Sequence, residues 1–257
     1  MVFLLLKERL GTEKWTHIIE PERTVPEDML PQLEDDLRRL CDAEPIQYVI
    51  GSAWFYGRSF RVGPAVLIPR PETELLVREA VCEALSLHRP ARVLDLCTGS
   101  GCIAWSVALE TTDADVVATD ISEEALEIAA GQFPEHSPLF LCSDVLDTEQ
   151  PFDHGSFDLV LSNPPYVKES EKAQMRPNVL DYEPAGALFV PDDDPLVFYR
   201  AVARWAVRFL RPQGTGLVEI NETLPAETEA VFRDAGFQDT AVLKDLSGKP
   251  RIVRFRR

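Results

Sequence analysis

Leucines at 30, 33, 37 and 40 recur at helical spacing behind Pro26 and the acidic pair Glu27 and Asp28, which predicts a small amphipathic helix near the start of the chain. From Pro45 to Pro71 the period dissolves into aromatics and turn formers (Tyr48, Gly51, Trp54, Phe55, Tyr56, Gly57, Phe60, Gly63, Pro64), the pattern of a short hairpin-like connector. Beyond it, brief apolar runs at 93–96, 116–119, 139–142 and 159–162 alternate with helix-length stretches at 103–110 and 123–132. The alternation continues with a helix over 196–211, a strand over 216–220, a helix over 226–235 and a closing strand over 252–255. Strands alternating with helices of this length predict an α/β fold whose mainly parallel sheet is doubly wound. The expected division is a small helical N-terminal domain with its linker over residues 1–75 and a larger domain over 76–257. In the helix over 196–211, Arg200, Arg204, Arg208 and Arg211 form a polar stripe expected to be a solvated face.

Composition sharpens this picture in two respects. The chain has 257 residues with a formal charge of −17, a sign that repels a nucleic-acid backbone. Residues 81–195 carry 22 acidic and 5 basic residues, which equals the whole imbalance. That stretch reads either as a solvated acidic surface or as a docking face for a basic partner. The five cysteines, Cys41, Cys82, Cys97, Cys102 and Cys142, include no Cys-x-x-Cys pair, so neither a disulfide framework nor a metal site is indicated, and a reducing cytoplasm fits best. The apolar opening at residues 2–6 stops at Lys7, far short of a membrane span.

Two turns carry the candidate chemistry. The first follows the run at 93–96: Cys97, Thr98, Gly99, Ser100 and Gly101 lead into a helix, so glycines admit close backbone approach and the first helical amides add donors. Asp120, at the end of the next strand, is placed to accept hydrogen bonds from ribose hydroxyls, and Ser122 to cap the helix that follows. The spacing Gly99-x-Gly101-x-x-Ala104 by itself indicates only a nucleotide-like ligand. Asp95, just before the turn, either binds the ligand's amino group or braces the turn; both readings stand.

The second turn is Asn163-Pro164-Pro165-Tyr166, entered from an apolar strand. Consecutive prolines fix the backbone and remove two N–H donors, leaving carbonyls and the Asn163 amide to face a ligand at the carboxyl edge of the sheet. Such acceptors suit a planar, weakly nucleophilic nitrogen: Asn163 Oδ1 and the Pro164 carbonyl take its two hydrogens and aim it at an electrophile. Tyr166 is expected to stack over the planar acceptor.

These turns, with residues 45–51, Phe55-Tyr56-Gly57, Pro69-Arg70-Pro71-Glu72-Thr73-Glu74, Tyr182-Glu183-Pro184 and residues 245–251, make the sequence resemble the release factor glutamine methyltransferase (PrmC/HemK) family from about Pro45 onward. The resemblance implies a Rossmann-like class I methyltransferase that moves a methyl group from S-adenosylmethionine to the side-chain amide nitrogen of the glutamine in the Gly-Gly-Gln motif of peptide chain release factors. It assigns Asp95, Cys97, Thr98, Gly99, Ser100, Gly101, Asp120, Ile121, Asp144, Val145 and Asn163 to the cofactor. Asn163, Pro164, Pro165, Tyr166, Arg70 and Glu72 go to the substrate, although residues 69–74 read equally well as a rigid connector. Related chemistry would serve a ribosomal-protein glutamine methyltransferase or a nucleic-acid amino methyltransferase. A nicotinamide-dependent oxidoreductase would leave the second turn without a purpose, and a silent cofactor-binding scaffold would have no need to keep it. Cys97 stands where the family usually has glycine, Asn221 where a small residue is commoner, and the segment before Pro45 is shorter than the family's N-terminal helical domain.

Overall fold

The computed structural model describes residues 1–111, 113–133, 138–147 and 152–257. The N-terminal segment holds α1 (Val2–Leu10), α2 (Thr16–Ile19), α3 (Leu30–Cys41) and α4 (Ile46–Ile50). Only α3 was legible in the leucine spacing. α1 packs a single face, with Leu5 fully buried against Leu33, Ile46 and Val49. Its Arg9 reaches the buried Asp36 at 2.7 Å and the Val49 carbonyl at 2.7 Å, which fastens α1 to α3 and α4. Although burial opposes ionisation, hydrogen bonds from Arg9 and Gln32 hold the Asp36 carboxyl below its usual range.

A hairpin follows, β1 (Ser52–Phe55) and β2 (Arg58–Arg61), paired antiparallel across a turn in which Tyr56 and Gly57 both take positive φ. This is the connector predicted from the aromatics. Phe55 and Phe60 project from it into the same buried cluster as Trp105 and Leu76, so the hairpin shares a core with the sheet. Next comes α5 (Glu74–Ser86), which the sequence pattern did not announce.

The remaining elements are β3 (Arg92–Leu96), α6 (Cys102–Glu110), β4 (Asp115–Asp120), α7 (Glu123–Ala130), β5 (Leu139–Cys142), β6 (Phe157–Ser162), β7 (Val167–Lys168), α8 (Pro177–Leu180), β8 (Phe189–Val190), α9 (Val197–Phe209), β9 (Leu210–Glu219), α10 (Pro225–Asp234), β10 (Asp239–Lys244) and β11 (Pro250–Arg256). Among the described residues, seven strands form one sheet in the order β10-β11-β9-β6-β3-β4-β5, and β7 and β8 form a separate small ladder. Neighbours from β9 to β5 are parallel, and β11 runs antiparallel between β9 and β10. The doubly wound α/β expectation is met. Alternation along the central strands divides the core: Leu94, Leu96 and Val160 face Tyr199, Trp205 and Phe209 of α9, while Val93, Leu159 and Leu161 face α5 and α6.

Two expectations shift. The helix expected over 196–211 ends at Phe209, and its last residues open β9. Arg211 therefore lies on a strand, where it and Arg89 grip the buried Asp158 at 2.8 Å and 2.6 Å, so it is a structural ion-pair partner rather than part of a solvated stripe. The helix expected over 123–132 stops at Ala130, and Gln132 bonds both backbone groups of Arg61 and the Ser100 carbonyl, joining hairpin to glycine turn. No helix among the described residues is long and apolar enough to cross a membrane.

Candidate active site

The chain leaves β3 for β4 on one side and returns through β6 to β9 on the other, so the carboxyl ends of β3 and β6 flank the reversal of strand order, the place where open α/β sheets bind ligands. A cavity of about 380 Å³ opens there, within the size range of small-molecule sites. Its wall includes Cys97, Thr98, Gly99 and Ser100 from the β3 turn, Asp120 and Ile121 after β4, Ser143, Asp144 and Val145 after β5, Asn163 and Pro165 after β6, and Arg70 and Thr73 from the segment before α5. The structure thus brings together most of the predicted site from four strand ends.

The β3 turn is built from alternating left-handed residues: Cys97, Gly99 and Gly101 have φ of 60°, 54° and 78°. At Gly99 a side chain would project into open space above the turn, where the ligand approaches. At Gly101 an added Cβ would come within 3.0 Å of Ala129 and Trp105, so this glycine serves helix packing and does not line the cavity. Cys97 adopts the same left-handed conformation with a side chain present, a conformation that favours glycine. Burial pushes its thiol well above the usual range. Asp120 anchors the turn, accepting Gly99 N–H at 2.8 Å and Ser122 N–H at 3.0 Å; each carboxylate oxygen keeps a further lone pair for ribose hydroxyls. Ser122 caps α7 through Ala125 N–H.

Asp95 sits where the bracing reading puts it. It is fully buried, takes the Thr98 hydroxyl at 2.6 Å and is absent from the cavity wall. Burial raises its pKa to about 7, against the Thr98 hydrogen bond that lowers it. Glu72 and Pro164 are likewise absent from the cavity wall, Glu72 exposed to solvent and Pro164 buried.

The Asn163-Pro164-Pro165-Tyr166 turn is clamped from three sides. Asn163 Nδ2 donates to Thr73 Oγ1 at 3.3 Å, the Tyr166 hydroxyl donates to Glu219 Oε1 at 2.9 Å, and Asn221 Nδ2 donates to the Tyr166 carbonyl at 3.1 Å. The expected stacking of Tyr166 over the acceptor is not found: its ring packs against the core cluster, outside the cavity, and its hydroxyl points at Glu219. Burial next to that carboxylate drives its pKa well up, so it remains a neutral donor. Glu219 is 2% exposed, and also accepts the Thr73 hydroxyl at 2.6 Å. Burial raises its pKa, opposed by those two hydroxyls.

Thr73, Glu219, Glu183 and Ser143 were missed as site residues in the sequence. Glu183 is 5% exposed; it accepts from Arg70 at 2.6 Å and from Ile68 N–H at 3.1 Å, holding Arg70 at the cavity. The available signals were Thr73 inside the Pro-Arg-Pro-Glu-Thr-Glu string and a carboxylate, Glu219, at the end of an otherwise apolar strand.

The residues fit the nucleoside-bearing donor that the resemblance implies. The glycine cradle is open at Gly99, Asp120 has capacity for a ribose, Ile121 and Val145 supply apolar surface, and Ser143 Oγ lies buried at the wall without a partner of its own.

Residues 73–180 match a family model described as the methyltransferase small domain, and residues 2–51 match the PrmC N-terminal domain, which carries the resemblance back from Pro45 to the start of the chain. A protein named release factor glutamine methyltransferase from Bacteroides thetaiotaomicron is 46% identical over 224 residues, covering 86% of this chain and 79% of that one. One of the same name from Flavobacterium psychrophilum is 39% identical over 241 residues, covering 92% and 84%. A methyltransferase crystal structure from Pyrococcus furiosus shares the fold, with a TM-score of 0.56 over 90% of this chain and 98% of that one at 16% identity. With this degree of identity across most of both chains, the protein belongs to the release factor glutamine methyltransferase family.

Proposed function

We propose that the cavity carries out N5-methylation of the glutamine side chain in peptide chain release factors, as the names of its relatives indicate. The methyl donor is S-adenosylmethionine, which when bound supplies an electrophilic methyl group on a sulfonium sulfur. Gly99, Ser100, Asp120, Ile121, Asp144 and Val145 hold it, and Arg70 stands at the same wall.

The observation that carries this reading is the placement of Asn163. It lines the same cavity as Gly99 and Asp120, and its Nδ2 is already engaged by Thr73. Oδ1 is the end left for a substrate, and an amide oxygen there accepts an N–H of an incoming carboxamide; the other is left to the backbone carbonyl of Pro164, a buried residue held between Asn163 and Pro165 of the wall. Fixing both hydrogens turns the nitrogen lone pair toward the methyl group and favours pyramidal nitrogen as positive charge develops. The bound donor would supply the methyl group, its C–S bond breaking as the N–C bond forms, and the nitrogen would then release a proton, acidic once alkylated, so no strong base is required of these residues. Pro165 walls the site beside Asn163.

The test is incubation with radiolabelled S-adenosylmethionine and a panel of release factor, ribosomal protein and DNA, followed by mapping of the labelled residue. Label on the glutamine of Gly-Gly-Gln supports the reading; label confined to DNA or to the ribosomal protein overturns it. In the same assay Asn163→Ala is expected to lower turnover by roughly 10²-fold, the scale of one preorganised polar group, with cofactor affinity nearly intact.

A further inference from the structure

Glu219 and Tyr166 behind the cavity, with Thr73 and Asn163 at its wall, form a chain of hydrogen bonds whose direction is set by the one carboxylate. Glu219, at the carboxyl end of β9 and 2% exposed, faces two hydroxyls: Thr73 Oγ1 at 2.6 Å from Oε2 and Tyr166 Oη at 2.9 Å from Oε1. An ionised carboxylate only accepts, so both hydroxyls donate to it. A threonine hydroxyl has one hydrogen. Once Thr73 has spent it on Glu219, Oγ1 only accepts toward other neighbours, and the neighbour it meets is the Asn163 amide, at 3.3 Å from Nδ2. A carboxamide satisfied in this way is oriented: its NH₂ end turns inward to Thr73 and its oxygen outward. Were the Thr73 hydrogen free, it would donate equally well to an inverted Asn163, which would then present two donors to a substrate amide that itself has only N–H bonds to offer at that nitrogen.

We propose that Glu219 is a positioning residue that sets the polarity of the Asn163 amide through Thr73, and thereby makes the turn an acceptor of carboxamide hydrogens. Tyr166 belongs to the same device: its hydroxyl fills the second carboxylate oxygen and ties the far end of the Asn163-Pro164-Pro165-Tyr166 turn to the carboxylate that orients its near end. The inference rests on the proposed role of Asn163 as the residue that receives the substrate amide.

The test compares Glu219→Gln, Thr73→Val and Thr73→Ser in the full-length protein, with release factor and S-adenosylmethionine as substrates and S-adenosylhomocysteine for calorimetric binding. Glutamine can donate to Thr73 and so reverses or scrambles the chain; valine matches threonine in shape but cannot accept from Asn163. Both are expected to lower kcat roughly tenfold or more, the lower end of the loss for a preorganised polar group. S-adenosylhomocysteine affinity and the KM for release factor should stay within about threefold, whereas general damage to the fold would move all three. Thr73→Ser, which keeps the hydroxyl, should stay within about threefold of wild type in kcat. Adding Glu219→Gln to Asn163→Ala should cost little more, because the residue it orients is gone.

Wild-type kcat in Glu219→Gln or in Thr73→Val, or a full additional loss on the Asn163→Ala background, overturns the inference. If Glu219→Gln does not fold, the paired Thr73 variants decide alone. The levels separate cleanly: an inactive Asn163→Ala beside a fully active Glu219→Gln removes only the polarity device, a fully active Asn163→Ala removes Asn163 from the mechanism and the device with it, and the proposed function itself falls only if the label is not on the release-factor glutamine.

Discussion

Asn221 Nδ2 donates to the Tyr166 carbonyl at 3.1 Å, closing the Asn163-Pro164-Pro165-Tyr166 turn from the side opposite Thr73. The same NH₂ group reaches Glu171 at 3.1 Å, and Asn221 Oδ1 accepts both the backbone and the hydroxyl of Thr223. Asn221 is thus a side-chain clamp on a turn whose prolines have already lost their own N–H donors.

Asn221→Ala is therefore expected to leave the Tyr166 carbonyl without its donor and to destabilise the protein by about 1–3 kcal/mol, the cost of an unsatisfied buried acceptor. Urea unfolding of the two proteins measures it. A difference below about 0.3 kcal/mol would show that the clamp contributes nothing.

Cys97 supplies a second expectation. A side chain in the left-handed region costs roughly 1–2 kcal/mol, and Cys97 sits there with φ of 60°. Replacing it by glycine removes that strain but adds about 0.5–1 kcal/mol of unfolded-chain entropy, so Cys97→Gly should be neutral to stabilising by up to about 1.5 kcal/mol. Cys97→Val puts a β-branched side chain in the same conformation and should destabilise. Denaturant midpoints for the pair test the sign: a less stable glycine variant would mean that the thiol's packing outweighs the strain.

The two kinds of feature differ in how far they can be read from sequence. Strands β3, β4 and β6 were legible because each is a short apolar run bounded by a turn, and the glycine turn because left-handed backbone favours one residue type. α1 was missed because one buried face of a nine-residue helix, around Leu5, is a weak periodic signal. α5 was missed behind the Pro-Arg-Pro-Glu-Thr-Glu string, and β10 because its residues are only half buried at the sheet edge. The same logic separates the site residues. Asn163 and Gly99 announce themselves by local motif, whereas Glu219 and Thr73 lie 146 positions apart and meet only because β9 ends beside the segment before α5. Tyr166 was read correctly as part of the motif but assigned to the wrong side of it, since sequence does not say which face of a turn an aromatic ring takes.

Asp95 makes the stability of the ligand-free protein depend on pH. Its pKa is raised by burial to about 7, above the unfolded value of roughly 3.9. Between those values the folded state binds more protons than the unfolded state, so stability falls as pH rises from about 4 to about 7 and is flat beyond. Depressed carboxyls such as Asp158, buried but held down by hydrogen bonds from Arg89, Arg92 N–H and Arg211, act in the opposite direction and lose their contribution as pH falls below about 4. The difference in melting temperature between wild type and Asp95→Asn isolates the first term: it should change across pH 4–7. A constant offset over that range would show that Asp95 is ionised throughout.

The last expectation concerns encounter with the protein substrate. Part of the acidic stretch adjoins the cavity among the described residues: exposed Glu123 and Glu124 start α7 directly after the lining residues Ile121 and Ser122, and exposed Asp181 stands three positions before the lining residue Pro184. Exposed Asp192 and Asp193 follow on the segment after β8. A release factor domain that enters ribosomal RNA is expected to be basic, and complementary fields of this kind act mainly on association rate. At physiological ionic strength the screening length is about 8 Å and at 1 M about 3 Å, so the association rate constant should fall steeply as salt is raised while dissociation changes little. Reversing the rim with Glu123→Lys, Glu124→Lys and Asp181→Lys should flatten that dependence without altering affinity for S-adenosylhomocysteine, whose pocket these exposed side chains do not line. Stopped-flow association measured between low and high salt decides the matter: a wild-type rate independent of salt would leave the acidic stretch as a merely solvated surface.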